Sequence, residues 1–174
     1  TIESVKKAVN IFKKNNVPYA LLHCTNIYPT PEKLVRLNAI NELKQAFPDA
    51  VLGLSDHTFG HSTILGAIAL GARVFEKHFT DDNQRPGPDH KFSMNPKTWK
   101  EMIISSNELF MALGSGIKDI EANEMETACV QRRGLRFTEN LSKGTIVSYS
   151  DLFPLRPLAN DGIQPFHIKE LITN

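Results

Sequence analysis

Polar side chains follow three short apolar segments of the sequence, and each of these segments is a candidate β-strand. The first is followed by Cys24-Thr25-Asn26, the second by Ser55-Asp56-His57-Thr58 and the third by Glu76-Lys77-His78. In an α/β domain with parallel strands, the carboxyl ends of the strands meet at one face, where reaction sites usually lie. The coincidence of three polar strand ends therefore predicts a site built from these residues.

Two histidines, His57 and His78, take equivalent positions after what we interpret as adjacent strands. Two imidazole ligands suit manganese, iron or zinc and leave coordination positions open for water and substrate. The alternative is that each ring satisfies backbone groups at a strand end. Glu76 should share a face with His78 if the strand stays extended. It is either a general acid or base, or an ion-pair partner of Lys77 or another basic neighbour.

A long loop, residues 81–90, follows the third predicted strand and contains Arg85-Pro86-Gly87-Pro88-Asp89-His90. Its two prolines limit its freedom, and its side chains are rich in hydrogen-bonding groups. Such a loop is either a substrate-binding loop or an exposed surface loop that needs no ligand. Two other histidines have predicted structural roles, because His23 lies within a buried strand and His61 near a helix start.

The elements that carry these residues alternate between helix and strand. Apolar periodicity and turn residues predict helices at residues 1–15, 30–43, 60–71 and 96–114, and strands at 19–23, 51–54 and 73–75. This alternation is typical of parallel strands joined by crossover helices, so the fold class is α/β. Three strands make a poor closed domain on their own. They suit either the second half of a (β/α)₈ barrel or part of a doubly wound sheet.

The remainder of the chain differs in composition and in the pattern of its apolar residues. Residues 118–131 are polar and acidic, which predicts a linker helix or a surface loop. Beyond Arg132, apolar residues alternate at Leu135 and Phe137, residues 145–147 favour a strand, and a helical turn starts at Ser150. We interpret this part as the start of a small, mostly β module that is truncated. The predicted segments are 1–117 for the α/β part, 118–132 for the linker and 133–174 for the β module.

Composition and charge restrict the classes of partner. The 174 residues carry a formal net charge of +1, so we expect neither nucleic acid nor membrane as a partner. The longest apolar stretch, residues 64–72, is interrupted by glycines and is well short of the roughly 20 residues that span a bilayer. Two widely separated cysteines favour a reducing, cytoplasmic setting. The chain begins without methionine, and we interpret it as a piece of a longer protein.

Four motifs resemble the bacterial sialic acid synthase family in their order and spacing. They are His23-Cys24-Thr25-Asn26-Ile27-Tyr28-Pro29-Thr30-Pro31, Gly53-Leu54-Ser55-Asp56-His57-Thr58, Glu76-Lys77-His78-Phe79-Thr80 and Gly87-Pro88-Asp89. Residues 133–165 also resemble the start of the antifreeze-like (SAF) domain of this family. The resemblance implies that the chain supplies the last three strands of a (β/α)₈ TIM barrel. It also implies a domain-swapped homodimer.

The resemblance also implies roles for individual residues. His57 and His78 would hold a divalent metal ion, usually manganese, with magnesium or cobalt as alternatives, and Glu76 matches an active-site carboxylate. These three are the implied catalytic residues. The implied substrate-binding residues are Asn26, Tyr28 and Ser55 for phosphoenolpyruvate, Asp89 for the amino sugar, and Arg156, which reaches into the partner's site.

The implied reaction joins phosphoenolpyruvate to an N-acylated amino sugar and releases phosphate. The acceptor is N-acetylmannosamine or, in a legionaminate or pseudaminate synthase, a 2,4-diacetamido trideoxyhexose. Two other hypotheses stay open: a carbohydrate-binding or assembly module without catalysis, and another metal-dependent barrel aldolase or phosphoenolpyruvate synthase. The family's phosphate-binding lysines and a second glutamate belong to strands outside this chain, so we expect the isolated chain to be inactive.

Overall fold

A computed structural model describes residues 1–172 of the chain. It contains two compact units, the first formed by residues 1–116 and the second beginning at Ile117. Within residues 1–172, every helix is too short or too polar to cross a bilayer.

The first unit is built on a three-stranded parallel sheet in the order β1-β2-β3. The strands are β1 (Ala20–Cys24), β2 (Val51–Asp56) and β3 (Val74–Lys77). Cys24 pairs with Ser55 and Ser55 with Glu76, so these three residues form one row at the carboxyl ends of the strands. The prediction of an α/β fold with parallel strands is confirmed.

Five helices accompany the sheet: α1 (Ile2–Lys14), α2 (Glu32–Val35), α3 (Ala39–Ala46), α4 (Ser62–Ala69) and α5 (Pro96–Ala112). Thr1 caps α1, because its side chain accepts a hydrogen bond from the backbone N–H of Ser4. Asn95 caps α5 and accepts from the N–H groups of Lys97 and Thr98. Helix starts at both places were predicted from the sequence.

The single helix predicted over residues 30–43 is wrong, since the chain forms α2 and α3 with a break at Arg36, whose φ is 54°. The cause lies in β1 and the residue after it. His23 Nε2 bonds the Val35 carbonyl oxygen at 2.6 Å, and Thr25 Oγ1 donates to the Leu34 carbonyl at 3.2 Å. These side chains occupy carbonyls that a continuing helix would use, so α2 ends there.

The hydrophobic core lies between one face of the sheet and the helices. Leu52 and Leu54 of β2 are buried, and their core neighbours on the helices are Ile40, Leu43, Ile64, Ala67 and Ile68. Fully burying each of the leucine and isoleucine side chains among them contributes roughly 1.5–3 kcal/mol. On the other face of the sheet, Val51, Val74 and Glu76 are exposed. The unit is therefore open on the face that carries Glu76.

The second unit contains two short antiparallel strands, β4 (Gly134–Phe137) and β5 (Leu152–Leu155), and the helices α6 (Met125–Gln131) and α7 (Ile168–Ile172). Three 3₁₀ turns cover Ala122–Glu124, Tyr149–Asp151 and Pro165–His167. The alternating apolar residues Leu135 and Phe137 lie in β4, and the helical turn predicted at Ser150 is observed. The SAF identity of this unit stays a prediction.

One stretch of the second unit differs from the sequence interpretation. Residues 145–147 form no strand, and Ile146 is 93% exposed, so this stretch lacks the burial that converts β propensity into a strand. Residues 118–132, predicted to be a linker helix or a surface loop, include α6. Leu158 N–H donates to the Cys129 carbonyl at 3.2 Å, which ties α6 to the segment after β5.

Candidate active site

The imidazole rings of His57 and His78 lie side by side. Each residue directly follows its strand, and the pairing of Asp56 with Lys77 sets the two histidines next to each other. The ring centroids are 5.2 Å apart and the ring planes are nearly perpendicular, at 84°. The structure thus brings together the two residues that were predicted to share a metal ion.

The ring of His57 is oriented by a backbone carbonyl. His57 Nδ1 lies 2.9 Å from the carbonyl oxygen of Thr25. A carbonyl oxygen can only accept, so Nδ1 carries the proton and, in the neutral ring, Nε2 keeps its lone pair. His57 is 4% exposed, and its own carbonyl accepts from Thr30 N–H at 2.9 Å. This is the arrangement in which metal-binding histidines are usually held.

His78 is less enclosed than His57, with 25% of its side chain exposed. Its Nδ1 lies 3.7 Å from Asp89 Oδ2, which is too long for a hydrogen bond. Its carbonyl accepts from Met94 N–H at 2.9 Å. Asp89, the residue predicted to contact the amino sugar, is therefore next to the histidine pair.

Two more aromatic rings complete what we call the aromatic cluster, defined as His57, His78, Tyr28 and Phe92. The Tyr28 ring lies 4.3 Å from the His57 ring and 5.6 Å from the His78 ring. The Phe92 ring is 5.0 Å from the His78 ring. Tyr28 is 52% exposed and Phe92 only 4%, so Tyr28 forms the open side of the cluster and Phe92 its base. The sequence analysis missed Phe92, which lies in an irregular loop without periodicity.

Ser55 and Glu76 are joined by a short hydrogen bond on the open face of the sheet. Ser55 Oγ donates to Glu76 Oε2 at 2.5 Å. The alternative that Glu76 pairs with Lys77 is wrong, because neighbouring residues of a strand point to opposite faces. At the end of β1, Cys24 Sγ donates to Asn26 Oδ1 at 3.2 Å. Asn26 thus lies beside the row that Cys24 forms with Ser55 and Glu76.

The bond between Ser55 and Glu76 restricts what Ser55 can offer a ligand. Phosphate and carboxylate oxygens need hydrogen-bond donors, and a serine hydroxyl has a single proton. In this structure the proton is directed at Glu76. Ser55 can donate to phosphoenolpyruvate only if it turns away from Glu76.

A buried ion pair lies behind the histidines, on the face of the sheet that packs against α4. Lys77 Nζ is 2.7 Å from Asp56 Oδ2, and the two side chains are 2% and 1% exposed. Thr63 Oγ1 donates to the same carboxylate oxygen at 2.6 Å. Burial by itself raises the pKa of Asp56, but the hydrogen bonds from Lys77 and Thr63 and the charge of Lys77 outweigh it and hold that pKa below its usual range.

The sequence analysis missed this ion pair, although a signal was present. Asp56 and Lys77 each directly precede a histidine, and the two strands were expected to be neighbours. Alternation of side chains along a strand would have placed both on the face opposite Ser55 and Glu76.

The loop after β3 is held by side-chain hydrogen bonds. Asn83 Nδ2 donates to the carbonyls of His90, at 2.7 Å, and Ser93, at 2.8 Å. Asn95, the cap of α5, donates to Asn83 Oδ1 at 2.8 Å. The loop that carries Asp89 is therefore anchored at the start of α5.

Arg156 belongs to the second unit, directly after β5. Its Nε donates to the Gln131 carbonyl at 2.6 Å. Its role at the partner's site stays a prediction.

Within residues 1–172, no group of three or more His, Cys, Asp or Glu side chains is arranged to hold a metal ion. The described donors that lie together are the two imidazoles of His57 and His78. The free Nε2 of His57 fits this donor set.

Comparison with known proteins agrees with the geometry. Residues 1–118 match the model of the NeuB family. The chain is 38% identical over 171 residues to the N,N'-diacetyllegionaminic acid synthase of Campylobacter jejuni, covering 97% of this chain and 50% of that protein. It is 32% identical over 174 residues to the human N-acetylneuraminate-9-phosphate synthase, covering 99% and 48%.

Among solved structures, the N-acetylneuraminic acid (sialic acid) synthetase of Leptospira borgpetersenii in complex with citrate superposes with a TM-score of 0.68 at 35% identity. The match covers 73% of this chain and 44% of that one. The chain spans about half the length of the curated relatives that it matches. Both the matched family model and these similarities show that the chain belongs to the NeuB family.

Proposed function

We propose that the protein to which this chain contributes is a nonulosonic acid synthase, which condenses phosphoenolpyruvate with an N-acylated amino sugar and releases phosphate. The observation that carries the proposal is the pairing of His57 with His78 next to the row of Ser55 and Glu76, in a chain of the NeuB family. In the overall reaction, the methylene carbon of phosphoenolpyruvate bonds to the aldehyde carbon of the sugar. Water adds at the neighbouring carbon, which carries the phosphate, and phosphate leaves with cleavage of the bond between that carbon and the phosphate oxygen.

His57 and His78 are the residues that would hold the divalent ion, with manganese as the first choice and magnesium or cobalt as alternatives. When bound, such an ion supplies Lewis-acid polarisation of a carbonyl group. The orientation of His57 by the Thr25 carbonyl supports this assignment, because it leaves Nε2 free to bind.

Glu76 is the residue that would hold or move a proton. Its carboxylate is exposed on the open face of the sheet and already accepts a hydrogen bond from Ser55. A positioned carboxyl group of this kind contributes typically about 10²–10⁴-fold to a proton transfer.

Asn26, Tyr28 and Ser55 would bind phosphoenolpyruvate, since their amide and hydroxyl groups can donate to its carboxylate and phosphate oxygens. Asp89 would accept hydrogen bonds from the sugar, because its carboxylate is exposed beside His78.

We further propose that the sheet is the last part of a (β/α)₈ barrel, that the second unit is the start of a SAF domain, and that the protein is a domain-swapped homodimer of the cytoplasm. In that dimer Arg156 would reach into the partner's site. The similarity to relatives over 97% and 99% of this chain, second unit included, supports a shared architecture.

Two acceptors are compatible with the chain. N-acetylmannosamine is supported by the similarity to the Leptospira N-acetylneuraminic acid synthetase. A 2,4-diacetamido trideoxyhexose is supported by the 38% identity to the Campylobacter N,N'-diacetyllegionaminic acid synthase.

A phosphate-release assay on the full-length protein tests the proposal. It would contain phosphoenolpyruvate, Mn²⁺ and one of the two sugars, with a reaction lacking sugar as the control. Phosphate release that depends on one sugar would support the synthase and name its acceptor. Absence of release with either sugar from a folded, Mn²⁺-loaded protein would contradict it and favour a binding module or another aldehyde substrate.

A further inference from the structure

The buried ion pair of Asp56 and Lys77 closes a ring of hydrogen bonds with the backbone of Thr58, and His57 lies within that ring. Asp56 Oδ1 accepts from the backbone N–H of Thr58 at 3.1 Å. Lys77 Nζ donates to the carbonyl of the same residue at 2.7 Å, while also bonding Asp56 Oδ2. Both backbone polar groups of Thr58 are therefore held by the ion pair. His57 is the residue between the two anchored positions.

The same ion pair also connects His57 to His78. Lys77 is the residue directly before His78, and its ammonium group reaches across from β3 to Asp56, the last residue of β2, and to Thr58 beyond it. Besides their backbone hydrogen bonds, β2 and β3 are joined by the bond of Ser55 to Glu76 on the other face, and the backbone bonds end where the strands end. The ion pair thus continues the connection one step beyond the sheet, at the position of the two histidines.

Two hydroxyl groups complete the partners of the carboxylate. Thr63 Oγ1 donates to Asp56 Oδ2 at 2.6 Å, and Thr58 Oγ1 lies 3.1 Å from the same oxygen. Within the described residues, no buried side-chain nitrogen or oxygen lacks a hydrogen-bond partner. A fully satisfied polar network of this kind favours a single arrangement of the backbone around it.

We propose that Asp56 and Lys77 are positioning residues for the histidine pair: they set the spacing and direction of the His57 and His78 rings, and thereby the metal affinity of the site. This inference rests on the proposed function, since it takes the two histidines as metal ligands. Neither side chain touches the metal position, because both lie on the opposite face of the sheet.

A contribution to folding stability alone would not explain the presence of this buried ion pair. Replacing a buried ion pair by apolar residues of similar volume is often neutral or stabilising, whereas removing one partner leaves an uncompensated buried charge. Positioning and stability can therefore be separated by comparing single with double replacements.

The test measures Mn²⁺ affinity, by the electron paramagnetic resonance signal of free Mn²⁺, and the thermal midpoint in the full-length protein. The variants are Asp56→Asn, Lys77→Met and the double variant Asp56→Leu/Lys77→Met. Lys13→Met is the matched control, because Lys13 forms an exposed ion pair with Asp49 at 3.0 Å on another part of the same unit. The visible spectrum of the Co²⁺-loaded protein reports the ligand geometry at saturating metal.

We expect the double variant to recover most of the thermal midpoint lost by the single variants. Its Mn²⁺ affinity should stay reduced by about 10–100-fold, the usual effect of losing residues that orient metal ligands, and its Co²⁺ spectrum should differ from that of the wild type. Lys13→Met should match the wild type in metal affinity and spectrum. If the single variants fail to fold, the double variant by itself decides.

Wild-type Mn²⁺ affinity and an unchanged Co²⁺ spectrum in a folded double variant would overturn the positioning role while leaving the metal site intact. A different failure would show in the parent protein. If the wild type bound no Mn²⁺, or if His57→Ala bound Mn²⁺ with the same affinity as the wild type, the metal site itself would be overturned. The positioning role would then be overturned with it.

Discussion

The rings of His57 and His78 meet edge to face with centroids 5.2 Å apart, because each histidine directly follows one of two paired parallel strands. The arrangement depends on strand register and not on any local sequence motif. It makes the carboxyl ends of β2 and β3 the centre of the proposed site.

Replacing Glu76 by Gln should separate proton transfer from binding. Glutamine keeps an oxygen that can accept from Ser55 but removes the negative charge and the basic group. We expect kcat of the full-length enzyme to fall by about 10²–10⁴-fold, with a much smaller change in KM for phosphoenolpyruvate. Steady-state kinetics would measure both. Glu42→Gln, at an exposed position on α3, is the control; an unchanged kcat for Glu76→Gln would remove this residue from the chemistry.

Tyr28 should act through both its ring and its hydroxyl, and two substitutions distinguish them. Tyr28→Phe keeps the ring contacts with His57 and His78, so Mn²⁺ affinity should be unchanged while KM for phosphoenolpyruvate rises. Tyr28→Ala removes the ring from the open side of the aromatic cluster, so it should lower the Mn²⁺ affinity and also raise KM for phosphoenolpyruvate. Titration with Mn²⁺ and steady-state kinetics check this. Equal behaviour of the two variants in both measurements would argue against the division of roles.

Gly53 should tolerate no side chain. A Cβ at this position would clash with the carbonyl oxygen of Val74 and lie 2.8 Å from Leu22 Cγ, within the sheet. We expect Gly53→Ala to lower the free energy of unfolding by about 1–3 kcal/mol, the usual effect of overpacking. Urea denaturation would measure the change.

Gly66→Ala is the matched control for that experiment. A Cβ there would meet only the end of the Leu37 side chain, which can move, and alanine favours a helix interior such as α4. A loss of stability in Gly66→Ala equal to that in Gly53→Ala would contradict the clash with the sheet backbone.

Asp49 should make stability depend on pH in the acid range. Hydrogen bonds from Lys13 and Tyr19, each 3.0 Å long, hold the pKa of Asp49 below its usual range. A carboxyl group with a lowered folded-state pKa adds stability above its unfolded pKa of about 3.9, and this is lost as pH falls through the folded value.

The urea midpoint of the wild type should therefore fall more steeply than that of Asp49→Asn as the pH falls below about 5. The difference should be small, because the pair is half exposed. Parallel curves for the two proteins would contradict the contribution of Asp49.

The sequence predicted the elements better than their ends and interruptions. The helices predicted from residues 1 and 96 begin there, because a helix start is a local signal. The break at Arg36 was missed, because Leu34, Leu37 and Ile40 keep a helical period across it. The interruption comes from His23 of β1 and from Thr25 directly after it, which no local pattern records.

For the site, strand ends were enough to bring His57 and His78 together, since parallel strands align their carboxyl ends. The partners of Glu76 and Lys77 were harder to predict from the sequence. The sequence allowed these neighbours to pair with each other, but alternation in β3 directs Glu76 to Ser55 and Lys77 to Asp56. Alternation decides the face of the sheet on which each side chain lies. Register across strands, which sequence spacing does not encode, decides which partner it meets on that face.

The most direct test of the central claim is the Mn²⁺ affinity of the wild-type protein compared with His57→Ala, His78→Ala and the control His61→Ala, whose residue lies at the start of α4 outside the aromatic cluster. We predict that each of the first two loses more than about 100-fold in affinity, since orienting residues by themselves change affinity by about 10–100-fold, and that His61→Ala binds like the wild type. Wild-type affinity in either His57→Ala or His78→Ala would contradict a shared metal site at this pair.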